Sequence, residues 1–212
     1  MRKIINAHPV IAILRNTPDE LLLPYVAALF EGGIKSFEIS FTTPDAARQI
    51  EMVKEHLPDE VLVGAGTILT PAEADEAMKA GADYLLSPAA DTAVLKHCQK
   101  LSVPFMPGVY SPSDVSTCLA FGFHTLKLFP ADALPDNYIK SLKGPFPQAE
   151  FVAVGGVTPG NAAAYFKNGF IGVGIGSSLA AKDDLAAKNW NRITTDITCL
   201  FESIRKGAAN ED

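Results

Sequence analysis

Short apolar runs alternate with longer segments of mixed polarity along the whole chain. Runs of this length, bounded by glycine and proline, are typical of strands buried on both faces. Eight of them predict strands at residues 10–14, 36–40, 61–67, 84–88, 104–108, 125–130, 151–156 and 171–176. The segments between them have the apolar spacing and the start signals of helices, such as Thr70-Pro71 and Ser111-Pro112, where proline follows a capping hydroxyl.

This alternation predicts the fold. Eight strand–helix units of about two dozen residues each are typical of a single (β/α)₈ barrel, the TIM barrel, here covering residues 1–212 as one domain. A doubly wound open sheet is the alternative, and it predicts a G-x-G-x-x-G turn after the first strand. Residues 14–17 read Leu-Arg-Asn-Thr and contain no glycine, so the barrel is favoured.

Composition and charge exclude several classes of function. A net charge of −6 without a cluster of Lys or Arg argues against a nucleic-acid partner. The first long apolar run, residues 10–14, is too short for a signal peptide or a membrane span, so we expect a cytoplasmic protein without a membrane partner. The histidines are scattered, which predicts no metal site and, with the rest of the sequence, no cofactor. The cysteines are odd in number, far apart and best explained as reduced thiols: Cys98, Cys118 and Cys199.

Two charged residues interrupt otherwise apolar strands. Lys127 lies within residues 125–130, and Glu38 lies between Phe37 and Ile39. In a barrel both can point inward, where a Glu–Lys pair is tolerable and a lone charge is costly. A buried lysine favours its neutral amine, which is a nucleophile toward carbonyl carbon. The alternatives are a lysine on an edge strand that points to solvent and a purely structural ion pair.

Glycine-rich segments follow the last two predicted strands. Gly155-Gly156 ends the seventh strand, and Gly174-Ile175-Gly176-Ser177 ends the eighth. A barrel often binds phosphate at this place through backbone N–H groups, and Ser177 adds a hydroxyl donor. Arg15, just past the first strand, can bind a second anion such as a carboxylate, although an exposed loop charge explains it equally well.

An amine, a carboxylate and a phosphate site together suggest Schiff-base chemistry on a phosphorylated keto compound. Lys127 would add to the C2 ketone and form an iminium, the C3–C4 bond would break, and Glu38 would move the protons. Two other functions stay open. One is a phosphosugar isomerase or epimerase in which Glu38 is the base and Lys127 acts only electrostatically. The other is a phosphosugar-binding barrel without catalysis.

Motifs in nearly every predicted strand resemble one enzyme family. They are I-A-I-L-R (11–15), F-E-I-S (37–40), V-G-A-G-T (63–67), L-S-P (86–88), P-G (107–108), L-K-L-F-P (126–130) and V-G-G-V-T-P-x-N (154–161). In this order they resemble the class I 2-keto-3-deoxy-6-phosphogluconate (KDPG) and 4-hydroxy-2-oxoglutarate (KHG) aldolases, which include the 2-keto-3-deoxy-6-phosphogalactonate (KDPGal) aldolases.

The resemblance implies roles for individual residues. Lys127 would form the Schiff base, and Glu38 would be the general acid and base. The remaining substrate contacts would come from Thr67 at the pyruvate portion, from Pro88 and Phe129 at the pocket walls, and from Gly155, Gly156 and Ser177 at the phosphate. The implied reaction is cleavage of KDPG to pyruvate and glyceraldehyde 3-phosphate, with KHG as a further substrate and a homotrimer as the assembly.

One position departs from the family pattern. The phosphogluconate enzymes usually carry an arginine four residues beyond the glutamate, where this chain has Thr42. A small polar residue at this place, together with I-L-R, is closer to the KDPGal aldolases. Arg15 would then contribute more to binding the substrate carboxylate. The configuration at C4 of the preferred sugar acid stays open.

Overall fold

Parallel strands alternate with helices through residues 1–209, the part of the chain that the computed structural model describes. The strands are β1 (Val10–Leu14), β2 (Ser36–Ser40), β3 (Leu62–Gly66), β4 (Tyr84–Leu86), β5 (Phe105–Met106), β6 (Gly108–Val109), β7 (Thr125–Leu128), β8 (Glu150–Val154) and β9 (Gly172–Ile175). All neighbouring strands pair in parallel, in the order β5-β4-β3-β2-β1-β9-β8-β7-β6. Because β5 and β6 adjoin in the chain, the two ends of this order meet and the sheet closes. The predicted α/β barrel is confirmed, and an open doubly wound sheet is excluded.

The predicted fifth strand is divided at Pro107. Residues 104–108 were expected to form one strand, whereas Phe105–Met106 pairs with β4 and Gly108–Val109 pairs with β7. Proline has no N–H group to donate to a neighbouring strand, which limits the ladder at this residue. The Pro107 carbonyl still accepts a hydrogen bond from the backbone N–H of Lys127, at 2.9 Å. The two short strands, β5 and β6, therefore together take the place of one strand of the barrel.

The helices lie around the barrel and mostly begin where the sequence predicts. They are α1 (Arg2–Ala7), α2 (Asp19–Glu31), α3 (Ala46–His56), α4 (Pro71–Lys79), α5 (Thr92–Leu101), α6 (Pro112–Ala120), α7 (Tyr138–Lys143), α8 (Ala162–Lys167), α9 (Lys182–Ala186) and α10 (Trp190–Ala209). Thr70 and Ser111 each form a capping box with the acidic residue three positions later, at the starts of α4 and α6. Within residues 1–209, no helix has the length and apolar character needed to cross a membrane.

Two separate apolar layers hold the barrel together. The larger layer lies between strands and helices and includes Leu126 and Leu128 of β7. The inner cluster lies inside the barrel and consists of Ile5, Ile11, Tyr84, Leu86, Met106, Val152 and Val154. Side chains alternate along each strand, so the residues of β7 that do not join the outer layer, Thr125 and Lys127, face the interior.

Helix α1, which the sequence analysis did not predict, closes the amino end of the barrel. Its Ile5 is fully buried in the inner cluster. Gly172, at the start of β9, makes room for it, because a Cβ atom there would lie 2.9 Å from Ile5 Cγ2. Arg2 forms an ion pair with Glu150 at the start of β8. The interior is therefore sealed by apolar side chains below the charged residues.

Candidate active site

The two charged residues of the apolar strands meet inside the barrel. Lys127 of β7 is 4% exposed and Glu38 of β2 is 1% exposed. Their Nζ and Oε1 atoms are 4.0 Å apart. Opposite charges at this distance partly offset the cost of removing both from water. The expectation that β2 and β7 place Glu38 and Lys127 together is thus met by the geometry.

One oxygen of Glu38 is left without a partner. Within the described residues Glu38 Oε2 is buried and accepts no hydrogen bond. Buried polar atoms are nearly always satisfied, and exceptions are concentrated at sites of chemistry. Such an oxygen can accept a proton from a substrate hydroxyl or from water.

Tyr84 supports β2 from below. Its ring is fully buried, and its hydroxyl lies 2.8 Å from the Ser36 hydroxyl and donates to the Phe37 carbonyl at 2.8 Å. Burial raises the pKa of this phenol far above its ordinary value, so it stays a neutral donor. The bond to Phe37 fixes the backbone immediately before Glu38.

Phe129 covers the lysine from the mouth of the barrel. Lys127 Nζ lies 5.5 Å from the centre of the Phe129 ring, a distance at which a ring face attracts an ammonium. The ring itself is 36% exposed. It therefore separates the buried amine from the open cavity above.

A cavity of about 640 Å³ opens at the carboxyl ends of β1, β8 and β9. It brings together five of the predicted residues, Arg15, Phe129, Gly155, Gly156 and Ser177. The residues that line it do not include Lys127, Glu38, Thr67 or Pro88. The Pro88 backbone, just past β4, lies against Gly108 at the start of β6. Lys182, which the sequence analysis missed because nothing in its local pattern marks it, adds a cation to the cavity wall.

The glycine pair after β8 adopts a backbone that other residues avoid. Gly155 and Gly156 have φ angles of 95° and 68°. A side chain at 156 would overlap Asp132, and one at 155 would lie 3.0 Å from the Pro130 Cα. Both glycines are therefore required by this loop, which leaves its backbone bare toward the cavity.

Asn161 and Ser178 brace the same loop. The Asn161 amide donates to the Gly156 carbonyl at 3.0 Å and accepts from the Thr158 N–H at 2.7 Å. Ser178 donates to the Val157 carbonyl at 3.0 Å, which joins the loops after β8 and β9. Asn161 is the last residue of the T-P-x-N motif, but the sequence alone assigned it no function. Only its spacing from the glycine pair could have suggested that it supports the loop.

Arg15 is exposed on the cavity wall. Within residues 1–209, no carboxylate pairs with its guanidinium, which leaves it available for a bound anion. The adjoining Asn16 has a left-handed φ of 52°, and its N–H donates to the Thr43 hydroxyl at 3.1 Å. The β2–α3 loop thereby fixes the loop that carries Arg15.

Thr67 also has a left-handed backbone, with a φ of 60°. This is unusual for a β-branched residue. Its hydroxyl lies 3.0 Å from that of Ser40, a residue that sequence reasoning did not single out although it follows Glu38 by two positions.

No three His, Cys, Asp or Glu side chains of the described part lie close enough together to hold a metal ion.

Comparisons with known proteins point to one family. The family model "KDPG and KHG aldolase" matches residues 1–196. The 2-dehydro-3-deoxy-phosphogluconate aldolase of Treponema pallidum is 34% identical, over 90% of this chain and 89% of its own length. The 2-dehydro-3-deoxy-6-phosphogalactonate aldolase of Escherichia coli is 36% identical, over 81% of this chain and 84% of its own.

A solved structure agrees with these matches. The KDPG aldolase of Legionella pneumophila, with pyruvate captured as a covalent carbinolamine intermediate, superposes with a TM-score of 0.85. It is 33% identical, and the superposition covers 93% of this chain and 96% of that one.

Proposed function

The chain belongs to the KDPG and KHG aldolase family of class I aldolases, and on that premise we propose that it cleaves 2-keto-3-deoxy-6-phosphogluconate to pyruvate and glyceraldehyde 3-phosphate. The observation that carries the proposal is the buried pair of Lys127 and Glu38, 4.0 Å apart beneath Phe129 and next to a cavity with a glycine loop at its wall.

The first half of the reaction forms the iminium. The neutral Lys127 amine attacks the C2 carbonyl carbon. The nitrogen then gives up one proton and the carbonyl oxygen takes one up, which gives a carbinolamine. Loss of its hydroxyl as water, with a proton supplied by Glu38, leaves the lysine nitrogen double-bonded to C2. Glu38 is close enough to act directly or through one water molecule.

The second half breaks the carbon chain. Glu38 removes the proton of the C4 hydroxyl, the C3–C4 bond breaks, and its electron pair moves into the iminium to give an enamine. The C4 fragment leaves as an aldehyde that carries the phosphate. Protonation of the enamine at C3 and addition of water then release pyruvate and free Lys127. The unpartnered Glu38 Oε2 suits this repeated acceptance and return of a proton.

Both ends of the substrate would find suitable groups. Arg15 and the Thr67 hydroxyl would bind the carboxylate. The phosphate would bind at Gly155, Gly156 and Ser177, with Lys182 adding positive charge on the same wall. Because the amine lies deep and the glycine loop lies at the mouth, the keto acid end would enter first.

The epimeric 2-keto-3-deoxy-6-phosphogalactonate is the second candidate substrate. The observation that favours it is Thr42, an exposed hydroxyl where the phosphogluconate enzymes usually carry arginine. Rates of pyruvate release from the two epimers and from 4-hydroxy-2-oxoglutarate measure the preference. A higher kcat/KM for the galactonate epimer, reversed in Thr42→Arg, would assign this second candidate.

Borohydride reduction in the presence of pyruvate tests the chemistry directly. We expect one reduced pyruvyl group per chain, located on Lys127 by peptide mapping. Lys127→Arg should form no adduct and turn over no substrate, because a guanidinium stays protonated. A folded wild-type protein that forms no adduct would instead favour a phosphosugar isomerase or a binding barrel without catalysis.

The assembly state is a separate part of the proposal. A homotrimer, as the family resemblance implies, would cover exposed apolar side chains such as Leu101 and Tyr110. Light scattering of the purified protein should give a mass three times that of one chain, and a single-chain mass would contradict it.

A further inference from the structure

Three hydroxyl groups form a chain at the carboxyl ends of β2 and β3. The Ser40 hydroxyl oxygen lies 2.9 Å from that of Thr42 and 3.0 Å from that of Thr67. The Thr42 backbone N–H donates to the same Ser40 oxygen at 3.5 Å. Ser40 is therefore the middle member, and the two threonines are the ends.

Ser40 sits on the reactive side of β2. It follows Glu38 by two residues, so both side chains face the barrel interior, and Ser40 is fully buried. Thr42 is exposed at the rim, and Thr67 follows β3, where its left-handed backbone is held by the surrounding structure. The chain of hydroxyls thus runs from the exposed rim through the buried Ser40 to Thr67, at the carboxyl end of the strand that pairs with the Glu38 strand.

Counting protons allows this chain two directions. Each hydroxyl can donate one hydrogen bond and accept two. Two bonds within the chain use two of the three hydroxyl protons, so one end is left with a proton for an outside acceptor. If Thr42 donates to Ser40 and Ser40 donates to Thr67, both acceptor positions of Ser40 are filled, and the Thr67 proton is free. In the opposite direction the Thr42 proton is free at the rim. A carboxylate bound at Thr67 would select the first direction.

We propose that Ser40 is a positioning residue that presents the Thr67 hydroxyl as a donor to the carboxylate of the bound keto acid, with Thr42 as the outermost donor. The inference rests on the proposed function and deepens it. The carboxylate would then be bound by a neutral, oriented hydroxyl, and Arg15 would supply a positive charge.

Borohydride trapping at a series of pyruvate concentrations tests the inference. Ser40→Ala should raise the half-saturating pyruvate concentration about tenfold, the effect expected for losing one hydrogen bond to a charged group. The trapping rate at saturating pyruvate should change little. Trapping of acetone, a ketone without a carboxylate, should be unaffected, which separates carboxylate binding from a general effect on Lys127.

Thr42 gives a matched pair of variants that avoids the buried position. Thr42→Val keeps the shape but removes the outer donor, and it should raise the half-saturating pyruvate concentration several-fold, about threefold for a partial loss of orientation. Thr42→Ser keeps the hydroxyl and should behave like the wild type.

A half-saturating pyruvate concentration that stays unchanged in both Ser40→Ala and Thr42→Val would overturn the inference. So would an equal effect of Ser40→Ala on acetone and on pyruvate, because that would indicate a structural role. A wild-type protein that traps neither ketone would overturn the aldolase proposal itself, which is a different result from a wild type that traps both.

Discussion

The carboxylate of Glu38 fills the space in which a side chain at Gly66 would begin. Gly66 pairs with Ser40 across β2 and β3, and a Cβ atom on it would overlap Glu38 Oε1 and Cδ. Glycine is required here by close approach and not by backbone conformation, since only a neighbouring side chain occupies the volume. The Glu38 carboxylate can therefore take this position only because the facing residue of the next strand has no side chain.

Gly66→Ala should displace Glu38 and lower kcat by about 100-fold, since a shift of about 1 Å in a reacting group can have this effect. The added methyl group should also lower the free energy of unfolding by about 1–3 kcal/mol. Steady-state kinetics and urea unfolding measure the two effects. Gly160→Ala is the matched control, because its new methyl would meet only Thr158 Oγ1 at 3.9 Å. A Gly66→Ala enzyme with wild-type kcat would show that the Glu38 position is not critical.

Asn161 should affect only substrates that carry a phosphate. Asn161→Ala removes the bonds to Gly156 and Thr158 and should raise KM for the phosphorylated sugar acid about tenfold, the equivalent of about 1.4 kcal/mol. The KM for 4-hydroxy-2-oxoglutarate, which has no phosphate, should stay the same. Asn161→Asp keeps the acceptor for the Thr158 N–H but replaces the donor to Gly156 with a negative charge, so it should raise this KM at least as much. An equal increase in KM for both substrates would contradict a role of Asn161 at the phosphate loop.

Ile5 should matter for stability and not for chemistry. Its side chain fills the amino end of the barrel, far from the open mouth, and Ile5→Ala should lower the free energy of unfolding by about 2–5 kcal/mol. The kcat and KM values of the folded fraction should match the wild type. Leu69→Ala, at an exposed position, is the control for loss of an apolar side chain. If residues 1–212 form one domain, urea unfolding will show a single transition in both variants.

The three cysteines should differ sharply in reactivity. Burial raises the pKa of the Cys98 and Cys118 thiols to about 12, so very little thiolate is present near neutral pH, whereas Cys199 is exposed. Iodoacetamide should label Cys199 in the native protein and all three in urea, as mass spectrometry of the peptides would show. Native Cys199→Ser should remain unlabelled. Fast native labelling of Cys98 would contradict the packing around α5.

The sequence predicted the structure best where the preferred conformation of a residue agrees with the backbone conformation that it has in the fold. Apolar runs that end at glycine or proline predicted the strands of the barrel, and a hydroxyl residue followed by proline, as in Thr70-Pro71, predicted helix starts. Charges are costly in such runs, which is why Lys127 and Glu38 stand out in the sequence alone. The glycine pair at 155–156 stood out by its place, because it and the glycines of residues 174–177 follow the last two predicted strands, where a barrel often binds phosphate.

Features that depend on tertiary packing were not predictable. Helix α1 is six residues long, too short for a periodic pattern, and it is held by the contacts of Ile5 inside the barrel. Helix α8 begins at Ala162, although Thr158-Pro159 also places a proline after a hydroxyl residue, because Asn161 binds the preceding turn. The link between Ser40 and Thr67 joins two strands, and no local pattern records it.

The closed floor of the barrel fixes the order in which products can depart. Tyr84, Leu86 and Met106 block the way below Lys127, so substrate and products pass through the mouth beside Phe129. In the proposed reaction the pyruvyl group is bonded to the deeper lysine while the phosphate lies nearer the mouth. The aldehyde must leave before pyruvate, and in the reverse direction pyruvate must arrive first. Condensation should therefore follow ordered kinetics, with high aldehyde concentrations obstructing the entry of the keto acid.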